Sequence, residues 1–281
     1  MKILFISPTL PTRISRIRAY NILKYLSKKH EIHLFSFINS EQKKQKTEQI
    51  KEFCASIETV LLSRWQSYLN CAFYLFSPLP LRVAYYKSAK MREKIKEILK
   101  REKFDLIYIK RKRMAQYGED IGDIPKVLDL SDAVSLHYQR ALKKAGIFRR
   151  LLYLEEYTKT LKYEVNISQK FGRTILCSPV DLEFLKAHSK EPLDNLAYIS
   201  TGVDTEYYRS RGLEVEPNSI LFSGVMGAFV NIDAARYLVL KIFPLIRKIF
   251  PNVKLYIVGP APPYSIRRLA KKNQVIVTGY V

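Results

Sequence analysis

Four cations in a row, Lys110-Arg111-Lys112-Arg113, follow directly on the apolar run Leu106-Ile107-Tyr108-Ile109. A second strand-like run, Lys126 to Leu130, leads into Ser131-Asp132-Ala133-Val134-Ser135-Leu136-His137-Tyr138. Carboxylates and hydroxyls at such a place could orient a sugar hydroxyl or act as a general base, which singles out Asp132 and Ser135. Near the N-terminus, Arg13, Arg16 and Arg18 stand at the start of a helix-like segment and could grip phosphate or carboxylate groups. Plainer readings stand beside these: a solvated helix start for the arginines, a solvated charged face for residues 110–113, and a helix cap for Ser131 or Asp132. A row of four cations makes a poor core, so the run is expected to be exposed, with Arg113 the member placed to meet an anion. His137 alone reads as a partly exposed helix residue.

A different chemistry is suggested further on. Ile220-Leu221-Phe222-Ser223-Gly224, Leu255-Tyr256-Ile257-Val258-Gly259 and Val275-Ile276-Val277-Thr278-Gly279 are apolar runs closed by glycine. Glycine at a strand end lets backbone amides approach an anion where the next helix begins. Two such turns in register, at Gly224 and Gly259, point to a nucleotide; Met226 and Asn231 follow the first of them.

These residues need elements to hold them. Lys2–Ser7, 32–37, 57–62, 104–109, 126–130, 174–177 and 196–199 read as strands, separated by segments with apolar residues at helical spacing. That alternation predicts an α/β chain, a doubly wound parallel sheet covered on both faces. The pattern lapses into polar residues around Gly212 and Pro217 and then restarts as a strand, one helix through 234–250, a strand, a short helix and a strand. We therefore expect a Rossmann-like domain over 1–207, a linker over 208–217 and a partial nucleotide-binding domain over 218–281.

Composition narrows the classes. With 48 Lys and Arg against 26 Asp and Glu, the 281-residue chain carries a net charge of +22, which calls for an anionic partner or reflects a generally basic proteome. Three scattered cysteines supply no disulfide framework or zinc site. No apolar run approaches the roughly 20 residues a bilayer crossing needs. The phosphate loop of P-loop NTPases, the Gly-x-Gly-x-x-Gly of dinucleotide enzymes and the Gly-x-Ser-x-Gly elbow are all missing.

Together, Met1-Lys2-Ile3-Leu4-Phe5-Ile6 with Pro8 and Pro11, Thr201-Gly202-Val203-Asp204-Thr205-Glu206-Tyr207-Tyr208, Phe222-Ser223-Gly224 with Asn231-Ile232-Asp233-Ala234, and Tyr256-Ile257-Val258-Gly259 resemble the group 1 (family 4) bacterial glycosyltransferases. Segments such as Arg113-Met114-Ala115-Gln116-Tyr117 are most similar to the exopolysaccharide and exosortase-associated branch. The resemblance implies the GT-B arrangement, two Rossmann-like lobes across a groove, the second cut short. It also implies transfer of a sugar from a nucleotide-sugar donor to a glycan or polyprenyl-phosphate-linked acceptor, with retention, no metal and no cofactor. On it, Gly224, Met226, Asn231 and Gly259 would face the donor, and Arg18, Arg113, Asp132 and Ser135 the acceptor side. Ile14 stands near the glycine the family places in its first loop, and the family's diphosphate-binding Arg and Lys are replaced around Met226 and 229–231. The family's Glu-x7-Glu segment would lie beyond Val281, so the polypeptide is expected to be an inactive fragment.

Two other classes stay open: a GT-B protein that keeps the fold as a non-catalytic scaffold, and a nucleic-acid binder suggested by the charge and nineteen tyrosines. The aromatics fall inside strand and helix patterns, so no nucleic-acid partner is expected. The apolar stretch Tyr68 to Val83, followed by Lys87, Lys90, Arg92, Lys94 and Lys96, suggests either an ordinary surface helix or docking on an anionic bilayer. The expected location is the cytoplasm, peripheral on the inner face of the membrane.

Overall fold

The computed structural model describes residues 1–13, 17–38, 47–143, 146–209, 212, 214–271 and 274–281. Ile14 and Arg16 of the first loop lie outside them. The chain divides into two compact units, Met1–Tyr207 and Tyr208–Val281.

In the first unit the elements run β1 (Lys2–Ser7), α1 (Ile17–Leu26), β2 (Glu31–Ile38), β3 (Ser56–Leu61), α2 (Arg64–Phe73), α3 (Leu81–Tyr85), α4 (Ala89–Arg101) and β4 (Leu106–Lys110). After a 3-10 turn at Lys112–Tyr117 come β5 (Lys126–Ser131), α5 (Val134–Leu142), α6 (Ile147–Gln169), β6 (Arg173–Leu176), α7 (Pro179–Ala187) and β7 (Leu196–Tyr198). The seven strands are all parallel and lie in the order β3-β2-β1-β4-β5-β6-β7. Residues of each central strand alternate between two buried clusters. Leu4, Ile6, Phe35, Ile107 and Leu128 pack on one face with Met91 of α4 and Val165 of α6. Ile3, Phe5, Leu34 and Tyr108 pack on the other with Tyr20 and Leu23 of α1. Burial on both faces is why these strands read as unbroken apolar runs rather than alternating ones.

The second unit has its own core around Leu255, Ile257, Val239 and Phe243. Its elements are β8 (Ser219–Ser223), α8 (Phe229–Tyr237), α9 (Phe243–Ile249), β9 (Lys254–Val258), α10 (Tyr264–Arg267) and β10 (Val275–Gly279), the parallel strands ordered β10-β9-β8. The single helix expected over 234–250 is in fact interrupted by a π-helical segment at Leu238–Ile242. Pro244 is the physical reason: it has no amide hydrogen to donate and its ring crowds the carbonyl one turn back, so the helix widens before it.

Candidate functional site

The strand order of the first sheet reverses between β1 and β4. In such sheets the crevice beyond the carboxyl ends at the reversal is where ligands gather. A pocket of about 260 Å³ lies there, lined by Ser7, Pro8, Arg18, Lys110, Arg111 and Ser131 among others. Two of its residues hold backbone that only glycine adopts freely: Arg111 (φ 73) at the end of β4 and Ser131 (φ 67) at the end of β5. Such conformations cost about 1–3 kcal/mol each and persist where surrounding contacts over-determine them. Here the Arg111 amide donates to the Asp129 carbonyl at 2.7 Å, and the Cys177 amide to the Ser131 carbonyl at 2.7 Å.

Asp129 is fully buried and bonds to three of the residues that line this crevice, Arg18, Lys110 and Ser131. Its Oδ2 accepts from the Tyr108 hydroxyl and Lys110 Nζ, both at 2.6 Å, and from Arg18 Nε at 3.2 Å. Its Oδ1 accepts from Ser131 Oγ at 2.9 Å, and Lys110 also donates to that hydroxyl at 2.8 Å. Burial works to raise the Asp129 pKa, but Lys110 and the hydrogen bonds overcome it and hold the carboxyl below its ordinary value. Burial wins at Lys110, pushing it down to about 8 against the pull of Asp129. Burial first, then Asp129, raises the Tyr108 hydroxyl well above its ordinary value. Two cations thus share one carboxylate, and the cluster keeps an excess of positive charge beside the crevice. Arg18 is further tied by Nη1 to the Ser200 carbonyl at 2.8 Å.

A second, larger pocket of about 610 Å³ shares Arg111 and Asp132 with the first and is walled by Leu81, Arg82, Tyr86 and Arg113. Arg111 donates to Asp132 Oδ2 at 2.6 Å, so this half-exposed ion pair stands between the two spaces. Arg113 lays its guanidinium over the Tyr86 ring at 4.8 Å. Arg18, Arg113 and Asp132 therefore line one connected region of the carboxyl edge.

Two expectations need correction here. The cation run is not uniformly exposed: Lys110 and Lys112 are only 4% and 5% exposed, each neutralised by a buried carboxylate. Neither Ser131 nor Asp132 caps the following helix. Glu164 of α6 does so, its oxygens accepting from the Val134 and Ser135 amides at 3.0 and 3.1 Å, from Ser135 Oγ at 2.6 Å and from Lys112 Nζ at 3.0 Å. The Ser135 hydroxyl is thereby buried and given to Glu164. A carboxylate at a helix start is favoured by the helix dipole. Burial lowers the Lys112 pKa, with Glu164 opposing.

Sequence reasoning missed Glu164, and a signal for it exists. Glu156, Thr160, Glu164 and Ser168 recur every fourth residue along α6 and all four are buried. An inward polar stripe of this kind must find partners. Glu156 accepts from the Leu81 amide at 3.2 Å, so the same stripe caps α3 as well as α5, both of which border the larger pocket.

In the second unit the strand ends lie close together. The Gly224 amide donates to the Val258 carbonyl at 3.0 Å and the Gly259 amide to the Gly279 carbonyl at 2.7 Å. Gly259 has φ +142, and a Cβ there would sit 1.7 Å from the Gly224 carbonyl oxygen, so no other residue fits. Asn231 Nδ2 donates to the Val225 carbonyl at 3.0 Å and packs over Gly224, fixing the turn before α8. Met226 is fully buried in the unit's core, with its amide bonded to the Pro260 carbonyl at 2.9 Å. Among the described residues, no group of three or more His, Cys, Asp or Glu side chains is placed to hold a metal ion.

No family model matches the chain, and no curated protein matches it by sequence. Solved structures do. TarM shares 9% identity over 100% of this chain and 76% of its own, at a TM-score of 0.63. A trehalose-6-phosphate protein from E. coli, bound with UDP-2-fluoro glucose, shares 10% over 99% of this chain and 73% of its own at 0.58. A UDP-GlcNAc 2-epimerase from Neisseria meningitidis, bound to UDP-GlcNAc, shares 11% over 99% of this chain and 72% of its own at 0.53. At these identities what is common is the fold, and the two parallel-sheet units are Rossmann-like domains of the GT-B kind.

Proposed function

We propose that this protein is a glycosyltransferase, moving a sugar from a nucleotide-sugar donor to a glycan or polyprenyl-phosphate-linked acceptor in bacterial surface polysaccharide synthesis. The observation that carries this reading is the pre-set cationic edge of the first sheet, where Arg18, Lys110, Arg111 and Arg113 surround two adjoining pockets at the switch point. Such an edge suits an acceptor bearing phosphate or many hydroxyls. In this reading the second unit holds the donor diphosphate on the turns at Gly224 and Gly259, with Asn231 fixing the first turn and Met226 supporting it from the core. The anomeric carbon exchanges its bond to the diphosphate for one to the acceptor oxygen, with retention and without a metal, and the nucleoside diphosphate leaves with the acceptor's proton. Asp132 receives the acceptor hydroxyl's hydrogen bond, and Ser135 acts at one remove by fixing the start of α5. The enzyme works in the cytoplasm, against the inner face of the membrane.

Incubation of a form of the protein that carries the family's Glu-x7-Glu segment with radiolabelled UDP- and GDP-sugars and a polyprenyl phosphate should move label into the organic phase. Label that stays aqueous with every donor contradicts the proposal, as does undiminished transfer in an Asp132→Asn, Arg113→Ala double variant.

One observation favours a second reading. No Lys or Arg lies between Ser223 and Ala235, where a diphosphate would need its charge met. A non-catalytic scaffold that kept the fold would look the same there, and would bind no donor.

A further inference from the structure

Helix α2 is turned inside out for a water-soluble surface. Its buried residue is Ser67, at 1% exposed, and its inward polar groups are engaged: Asn70 Nδ2 donates to the Lys87 carbonyl at 2.9 Å and Cys71 Sγ to the Leu81 carbonyl at 3.6 Å. Its outward residues are Trp65 (80% exposed), Tyr68 (62%), Leu69 (63%) and Phe73 (82%), and Phe76 (95%) comes in the next turn. Positions 65, 68, 69 and 73 share one helical face. Single exposed apolar residues are ordinary, but five together, each more than 60% exposed, form a patch of the kind that marks an interaction site.

Charge selects that partner. No Asp or Glu occurs from Thr59 through Arg92, while Arg64, Arg82 and Lys90 are exposed there. A protein partner's surface mixes both signs, whereas the headgroup layer of an anionic leaflet is uniformly negative over an apolar interior. Trp and Tyr with flanking cations match that layering. Lys159 of α6, which donates to the Leu75 carbonyl, ties the hairpin down, so the patch is presented on a fixed base.

We propose that α2 and the turn through Phe76 dock this protein on an anionic bilayer, with the aromatic side chains in the interfacial layer and the cations against phosphate headgroups. Cys71, Leu81 and Arg82 at the base of the hairpin also line the larger pocket, so docking brings the mouth of the acceptor site to headgroup level. The link to an acceptor rests on the transferase reading; the docking itself does not. It also moves the contact away from the cationic helix α4, whose Met91 and Ile95 are buried in the core.

Trp65 is the only tryptophan in the chain, so its fluorescence reports on this face alone. Vesicles of phosphatidylglycerol and phosphatidylcholine in equal parts should shift its emission to the blue and sediment the protein, whereas phosphatidylcholine alone should do neither. A Phe73→Ser, Phe76→Ser variant should keep its circular dichroism and melting curve, because both side chains are exposed, yet lose roughly a hundredfold in partitioning. Unshifted emission with anionic vesicles overturns the proposal, and so does equal sedimentation of the variant. A blue shift that grows with protein concentration and without lipid assigns the face to a second copy and overturns it too. If vesicle binding behaves as expected while no sugar is transferred, the transferase reading falls and the docking surface stands.

Discussion

One carboxylate oxygen of Asp129 gathers three donors, from Tyr108, Lys110 and Arg18. Removing that carboxylate leaves the buried Lys110 and the half-buried Arg18 without their shared anion, and breaking a buried pair from one side costs about 3–5 kcal/mol. Asp129→Ala should therefore lower the unfolding free energy measured by urea titration by that order, and a loss below 1 kcal/mol, roughly the value of an exposed pair, would show the network to be solvated. Lys110 predicts a pH dependence. Its folded pKa of about 8 lies below the unfolded value of about 10.4, so between them the unfolded chain holds more protons. Stability then rises with pH across that window: the penalty of burying the cation is complete below pH 8 and fades above it. Relative to Lys110→Met, the natural protein should gain stability from pH 8 to 10, by at most about 1.4 kcal/mol per unit. A flat difference between the two would contradict the assignment. Arg113, stacked on Tyr86, belongs to the acceptor pocket in our proposal; Arg113→Ala should raise the acceptor KM about tenfold to a hundredfold while changing kcat less.

At the scale of elements, the glycine turn at the carboxyl end of β9 is the most demanding piece of the second unit. Gly259→Ala would drive a methyl group into the Gly224 carbonyl, so thermal unfolding of this unit should show a loss of about 3 kcal/mol or more. An unchanged melting curve would refute the tight approach of the two strand ends. The strands were legible in the sequence because both faces are buried, which leaves runs such as Ile3 to Ile6 wholly apolar. The strand ends where ligands could gather followed from that alternation, but the reversal between β1 and β4 did not, because strand order is set by pairing across distance. What could not be read locally was pairing across distance. Lys112 looks like a surface cation until Glu164 is seen to meet it from a helix that begins after α5. The break at Leu238–Ile242 was signalled by Pro244, yet the apolar spacing on either side continues in phase and hides it.

At the scale of the whole molecule, the separate cores make the first unit self-sufficient. Residues 1–207 expressed alone should fold cooperatively and keep the Trp65 response to anionic vesicles, because both clusters flanking the sheet close within that unit. A chain of 1–207 that remains unfolded would contradict this. The net charge of +22 then has a physical role, drawing the protein to an anionic surface at long range and weakening with salt over a Debye length of about 8–10 Å. The central claim is that the glycine turns of the second unit serve a nucleotide-sugar. Titration calorimetry with UDP- and GDP-sugars, on a form of the protein that carries the family's Glu-x7-Glu segment, tests it most directly. Saturable heat from one of these donors, at one site per chain, is what the account predicts; no heat from any of them would contradict it and leave the fold as a scaffold.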